Sequence, residues 1–215
     1  MAATLVAFRK AFAAFAMTSK THLVVVAFYS PPFDDPLLNR VTAALDAPFC
    51  HVEMAFPQHR PPGADGLYET IMDAVTVMFD EKVEMVPKRF SRDMYQLMYL
   101  PVTATQWTAM RKKAGEIAGS NAEFSRYAMA STLFAFLPTS RSALDPDATC
   151  CSILTSQLLM HGGILPATTN PRRVTPSKLR RLILEQKHIS APCFGTAPVR
   201  LQQVRVQAGA RRGNL

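Results

Sequence analysis

After residue 104 the apolar residues of this chain pass from mostly strand-like to helical spacing, and that change limits the folds open to it. Residues 22–29 form a continuous β-branched and aromatic run, which suits a buried strand. Residues 49–56 read as a second strand, and residues 66–72 as a third, antiparallel to the second. Residues 76–79 and 83–87 read as a hairpin across Asp80-Glu81-Lys82. Residues 93–101 alternate, with Met94, Gln96, Met98 and Leu100 on one side and Tyr95, Leu97 and Tyr99 on the other, and end the sheet. From Thr105 onward the period is helical. Residues 105–119 form a predicted helix ended by glycine, 124–137 a second closed by Pro138, and 149–161 a third stopped by Gly162-Gly163. A fourth begins with Thr175 as cap and Pro176 at the first helical position. Residues 36–45 read as a short helix or turn covering the first strand. Strands followed by helices predict an α+β fold, an antiparallel sheet of about five strands packed against helices.

The 215 residues, 48% of them hydrophobic, suffice for one domain with a core. We place it at residues 21–190. Before it, residues 1–20 carry Leu5, Phe8, Phe12 and Phe15 at helical spacing around Arg9 and Lys10. That stripe either docks on the domain or forms an amphipathic membrane-surface helix or organelle presequence. Residues 191–215 read as a basic, flexible tail. No run of apolar residues is long enough to span a bilayer. Four cysteines, two of them adjacent, do not resemble a disulfide framework, so an intracellular, reducing compartment is expected, with membrane association or organelle targeting left open. There is no Cys-x-x-Cys pair and no zinc-like histidine spacing, so no metal or cofactor is predicted.

The net charge is +8. Its excess lies from residue 172 onward, where Arg172, Arg173, Lys178, Arg180, Arg181, Lys187, Arg200, Arg205, Arg211 and Arg212 face one side-chain carboxylate, Glu185. Either a solvated basic face or contact with an anionic membrane surface accounts for this. Nucleic acid is the weaker reading, because basic and aromatic residues do not interleave.

Two short segments carry chemistry. His51 sits on the second strand, and Cys150-Cys151-Ser152 opens the third helix. Asp147 or Thr149 as cap would leave Cys151 in the first turn, where unpaired N–H groups and the helix dipole favour a thiolate. A histidine within reach completes an activated nucleophile, and a third polar group holds its tautomer. If the second and third strands pair, Glu69 or Thr70 lies beside His51. Glu53 shares the face of His51 but is less well placed to reach the far ring nitrogen. Cys50 should point to the opposite face of its strand.

His51-Val52-Glu53-Met54, then Leu67-Tyr68-Glu69-Thr70-Ile71-Met72-Asp73-Ala74-Val75, then Cys151-Ser152-Ile153-Leu154-Thr155 resembles the circularly permuted branch of the NlpC-type papain-like superfamily. That branch includes YiiX-type proteins, the lecithin:retinol acyltransferase group and poxviral relatives. The resemblance covers roughly residues 22–182, including the Thr-Pro-x-x-Leu segment at Thr175 to Leu179. It implies a permuted papain-like fold with Cys151 as nucleophile, His51 as general base and Glu69 as the orienting residue. Cys150 is the alternative nucleophile; Cys193 lies outside the matched region. The implied activity is a cysteine-dependent hydrolase or acyltransferase that cleaves a peptide, isopeptide or lipid acyl bond through a thioester. Ile153 stands where the family carries a glutamate, and that departure fits the alternative, an inactive binding module of the same fold.

Overall fold

The computed structural model describes residues 21–32, 34–57, 70–134 and 148–186. The stripe at residues 1–20, Glu69, Cys193 and the basic tail from residue 191 lie outside the described residues.

Five strands form one antiparallel sheet: β1 (Thr21–Tyr29), β2 (His51–Pro57), β3 (Met72–Val77), β4 (Val83–Lys88) and β5 (Tyr95–Thr103), in the order β4-β3-β2-β1-β5. Five α-helices are described: α1 (Leu37–Leu45), α2 (Ala104–Ala118), α3 (Arg126–Leu133), α4 (Cys151–His161) and α5 (Pro176–Leu184). The protein is therefore mixed α+β.

Side chains alternate across a strand, so each strand feeds two faces. Val24, Val26 and Phe28 of β1 and Val52, Met54 and Phe56 of β2 join Met110 of α2 and Leu154 and Leu158 of α4 in the main core. On the reverse face Val25, Ala27, Ala55, Ala74, Leu97 and Tyr99 form a second buried cluster around Phe90. Burial on both faces explains why β1 is apolar without interruption. Truncating a core residue such as Leu158 to alanine would cost about 2–5 kcal/mol.

The third strand lies further along the chain than the sequence suggested. Residues 70 and 71 are outside any strand, and β3 begins at Met72. It pairs antiparallel with β2, with Met54 opposite Val75, and with β4, with Val77 opposite Val83. Residue 72, read as the end of one strand, and residues 76 and 77, read as the start of another, thus belong to a single strand, while residues 66–69 lie outside the described residues. The Asp80 turn makes the hairpin; its φ of 60° is a left-handed conformation that aspartate tolerates.

Helix ends follow local chemistry. Thr103 and Gln106 form a reciprocal capping box at α2, Ser125 accepts the Ala128 N–H at α3, and Thr175 accepts the Lys178 N–H at α5 with Pro176 behind it. At the end of α4, a Cβ on Gly162 would lie 2.5 Å from the Met110 sulfur, and Gly163 has a φ of 69°. A side chain at 162 would have to displace Met110, and the positive φ at 163 favours glycine.

Part of the basic excess is used internally. The Arg173 guanidinium donates to the Phe134 carbonyl, Lys178 to the Arg173 carbonyl, and Arg180 to Gln96. Among the described residues no helix is long and apolar enough to cross a membrane.

Candidate active site

The site forms where β2 and α4 begin. The lead-in to β2 is clamped from the far end of the chain. Asp46 accepts the Thr175 hydroxyl at 2.5 Å and the Ser177 N–H at 2.7 Å, while the Ser177 hydroxyl donates to the Asp46 carbonyl. The Cys50 N–H then donates to the Tyr29 carbonyl at 3.1 Å, and His51 pairs with Tyr29. The lead-in to α4 is held by a short parallel pair, β6 (Glu123–Phe124) and β7 (Ala148–Thr149), and by the Ser125 N–H on the Thr149 carbonyl at 2.8 Å.

These supports bring His51 against Cys151, the first residue of α4. The N-cap position is Cys150, rather than the Asp147 or Thr149 considered from sequence, and it makes no side-chain capping bond. Asp147 is outside the described residues; Thr149 instead donates its hydroxyl to the Cys150 carbonyl. Burial opposes a negative Cys151 sulfur. The neighbouring His51 charge and hydrogen bond, with the Val52 and Ser152 N–H groups, overcome it and lower the thiol pKa.

The two cysteines of the doublet differ in surroundings. Cys151 is 8% exposed at the edge of the main core, whereas Cys150 is 1% exposed and packs with Ala128 and Ile153. Burial, and then the charge of Cys151, push the Cys150 thiol up to about 12. Cys50 is also buried and raised to about 12, chiefly by desolvation. All three described cysteines are free.

Glu53 holds the other side of the imidazole. His51 Nε2 lies 3.1 Å from Glu53 Oε1, which leaves Nδ1 as the nitrogen for the thiol. The sequence reading underrated this contact. Residues two apart on a strand share a face, and here the His51 ring turns back along β2 to meet the carboxylate. Thr70 lies just before β3, and Glu69 is outside the described residues.

Glu53 is 0% exposed. Its Oε1 also accepts Lys88 Nζ from the end of β4 at 2.6 Å and the Tyr95 hydroxyl from the start of β5 at 3.2 Å. Lys88 Nζ lies 3.1 Å from that hydroxyl and sits over the Phe90 and Tyr95 rings. Burial would raise the carboxyl pKa, but the His51 hydrogen bond and charge, followed by those of Lys88, bring it down to about 2. Burial also works against a charged imidazole; the adjacent Cys151 and Glu53 prevail and raise His51 to about 10.

No family model, curated protein or solved structure matches this chain. The functional reading therefore rests on the site.

A buried carboxylate, an imidazole and a thiol at a helix start form one hydrogen-bonded series. Within it the imidazole pKa is raised by the sulfur and the carboxylate, and the thiol pKa is lowered by the imidazole. Such a series supplies a sulfur nucleophile and, on the same ring, a proton for a leaving group. Among the described residues no group of His, Cys, Asp and Glu side chains is arranged to hold a metal ion. Sequence reasoning missed Lys88 and Tyr95, whose only sequence signal is an ordinary charge and an ordinary aromatic at strand ends.

Proposed function

We propose that this protein is a cysteine-dependent hydrolase or acyltransferase with a permuted papain-like fold, cleaving an amide or ester bond through a thioester on Cys151. The observation that carries the reading is His51 held between the first residue of α4 and a fully buried carboxylate, with Nε2 on Glu53 and the ring bonded to the thiol.

The chemistry follows from those positions. The Cys151 thiolate attacks the carbonyl carbon, and the π electrons move to oxygen. The Cys151 N–H, at the first helical position and without an intrahelical acceptor, donates to that oxyanion. The intermediate collapses, the C–N or C–O bond breaks, and imidazolium gives its proton to the departing nitrogen or oxygen. The neutral ring then takes a proton from water, or from an acceptor nucleophile, which attacks the thioester and releases the thiolate. Glu53 stabilises the imidazolium and fixes the ring, the role that the sequence resemblance gave to Glu69. Substrates are peptide, isopeptide or lipid acyl groups, and the three free cysteines suit a reducing compartment.

The test has two parts. Iodoacetamide labelling at pH 6, mapped by mass spectrometry, should modify Cys151 quickly in the wild type and slowly in His51→Ala. An activated ester such as p-nitrophenyl butyrate should leave a butyryl group on Cys151. Slow, histidine-independent labelling with no acyl adduct would reject the enzyme and favour the inactive binding module, to which the Ile153 departure points. Fast labelling at Cys150 would move the nucleophile.

A further inference from the structure

Glu53 is served by a second cation that the three-residue scheme does not use. Its Oε2 has no hydrogen-bond partner, so every contact that holds the carboxylate converges on Oε1: His51 at 3.1 Å, Lys88 at 2.6 Å and Tyr95 at 3.2 Å. Lys88 makes the shortest of the three and is itself held by the Tyr95 hydroxyl at 3.1 Å. It comes from β4, two strands away from β2 in the sheet. Its side chain is 27% exposed, against 0% for Glu53. The lysine thus carries charge from the rim of the sheet to a carboxylate with no access to solvent.

A carboxylate shared by two cations is more firmly ionised than one facing His51 alone, and an ionised Glu53 favours the charged ring. We propose that Lys88, braced by Tyr95, is a positioning residue of the thiol site, holding Glu53 ionised and aimed at His51 so that the imidazolium–thiolate pair persists into acid solution. This rests on the thiol-enzyme reading and adds a control point to it: neutralising a lysine at the rim would weaken a nucleophile on another element.

Among the described residues, several groups bear on this network. His51 approaches from β2, Lys88 from β4 and Tyr95 from β5, while Tyr29 of β1 stacks on Tyr95 at 5.1 Å between centroids. Cys151 faces the ring from α4, and Cys50 precedes it. Asp35 acts on Tyr29 and Cys50. Between β2 and β4, β3 gives Ala74 to this face, and its Asp73 is paired with Arg111.

The experiment is the pH profile of Cys151 alkylation in the full chain, for wild type, Lys88→Met, Lys88→Arg and Tyr95→Phe, with circular dichroism to confirm folding. Methionine keeps an unbranched stem and removes the ammonium, with its charge and its hydrogen bonds to Glu53 and Tyr95. Lys88→Met should move the labelling midpoint upward by about one pH unit, a roughly tenfold loss of rate on the acid side. Lys88→Arg should recover most of the wild-type midpoint, and Tyr95→Phe should shift it less. A folded Lys88→Met with the wild-type midpoint would overturn the role of Lys88 while leaving the thiol enzyme intact. A wild-type Cys151 that titrates as an ordinary thiol would instead remove both. Should Lys88→Met fail to fold, the unaltered protein decides: the Lys88 ammonium nitrogen resonance should shift when Cys151 is alkylated, and an unmoved resonance would overturn the proposal.

Discussion

The starts of α4 and α5 show how the same backbone feature serves two purposes. Both helices begin from extended residues, and both present unpaired N–H groups. At α5 a threonine hydroxyl takes the Lys178 N–H, and proline removes one donor altogether. At α4 the capping position is Cys150, with no side-chain capping bond, and the first helical residue is the candidate nucleophile. At α5 the first-turn donors are consumed by side chains, the Thr175 hydroxyl and the Asp46 carboxylate. At α4 they are left for negative charge, and the Ser152 N–H goes to the Cys151 sulfur.

The contrast can be broken most severely at His51. Replacing it with alanine removes the charge that lowers the Cys151 thiol, and labelling at pH 6 should fall by about 10²-fold or more. α5 and its clamp should be untouched, so a concurrent loss of fold would mean that His51 is chiefly structural.

Glu53→Gln comes next. Removing one member of a buried charge pair should cost roughly 3 kcal/mol in urea melts and raise the pH at which Cys151 labels. The pH dependence has a definite sign. The folded pKa, about 2, lies below the ordinary value of 4.5. The stability that Glu53 contributes is therefore complete above about 4.5 and lost as pH falls through about 2. Acid melts of the wild type should steepen in that window, and those of Glu53→Gln should not. Parallel curves would show that the carboxylate is not ionised in the native protein.

Thr175→Ala tests the structural helix start. It removes the cap and the hydroxyl bond to Asp46, and should cost about 1–2 kcal/mol with little change in the pH profile of labelling. A profile displaced as far as that of Glu53→Gln would mean that the clamp tunes the thiol directly.

The smallest effect should come from making α4 resemble α5. Cys150→Ser installs a hydroxyl cap and should stabilise the protein by about 0.5–1 kcal/mol, while Cys151 labels a few-fold more slowly as first-turn donors are diverted. Faster labelling would point to Cys150 as a competitor for the imidazole.

What the sequence revealed follows the range of the forces involved. The Thr175-Pro176 start, the glycine stop of α4 and the β3–β4 turn were legible because each depends on residues within one turn. The order of His51 and Cys151 was legible as a pattern, and the structure brings the pair together. Glu53 was half legible: its face followed from strand alternation, but its reach depended on how the His51 ring turns. Residues 73–75 read as a break between two strands, and their place within β3 is set by pairing with β2 and β4 across the sheet, which no local pattern shows. Lys88 lies 35 positions from Glu53 and meets it only across an assembled sheet, so no local rule could reveal the contact.

The bond from Thr175 to Asp46 joins positions 129 residues apart. A ribosome makes β2 long before it makes the helix that anchors the approach to β2. Because long-range closure forms late, the nascent chain can hold its histidine and even its thiol without holding them in register. The approach to β2 is therefore anchored only after both His51 and Cys151 have been made, by the last described helix.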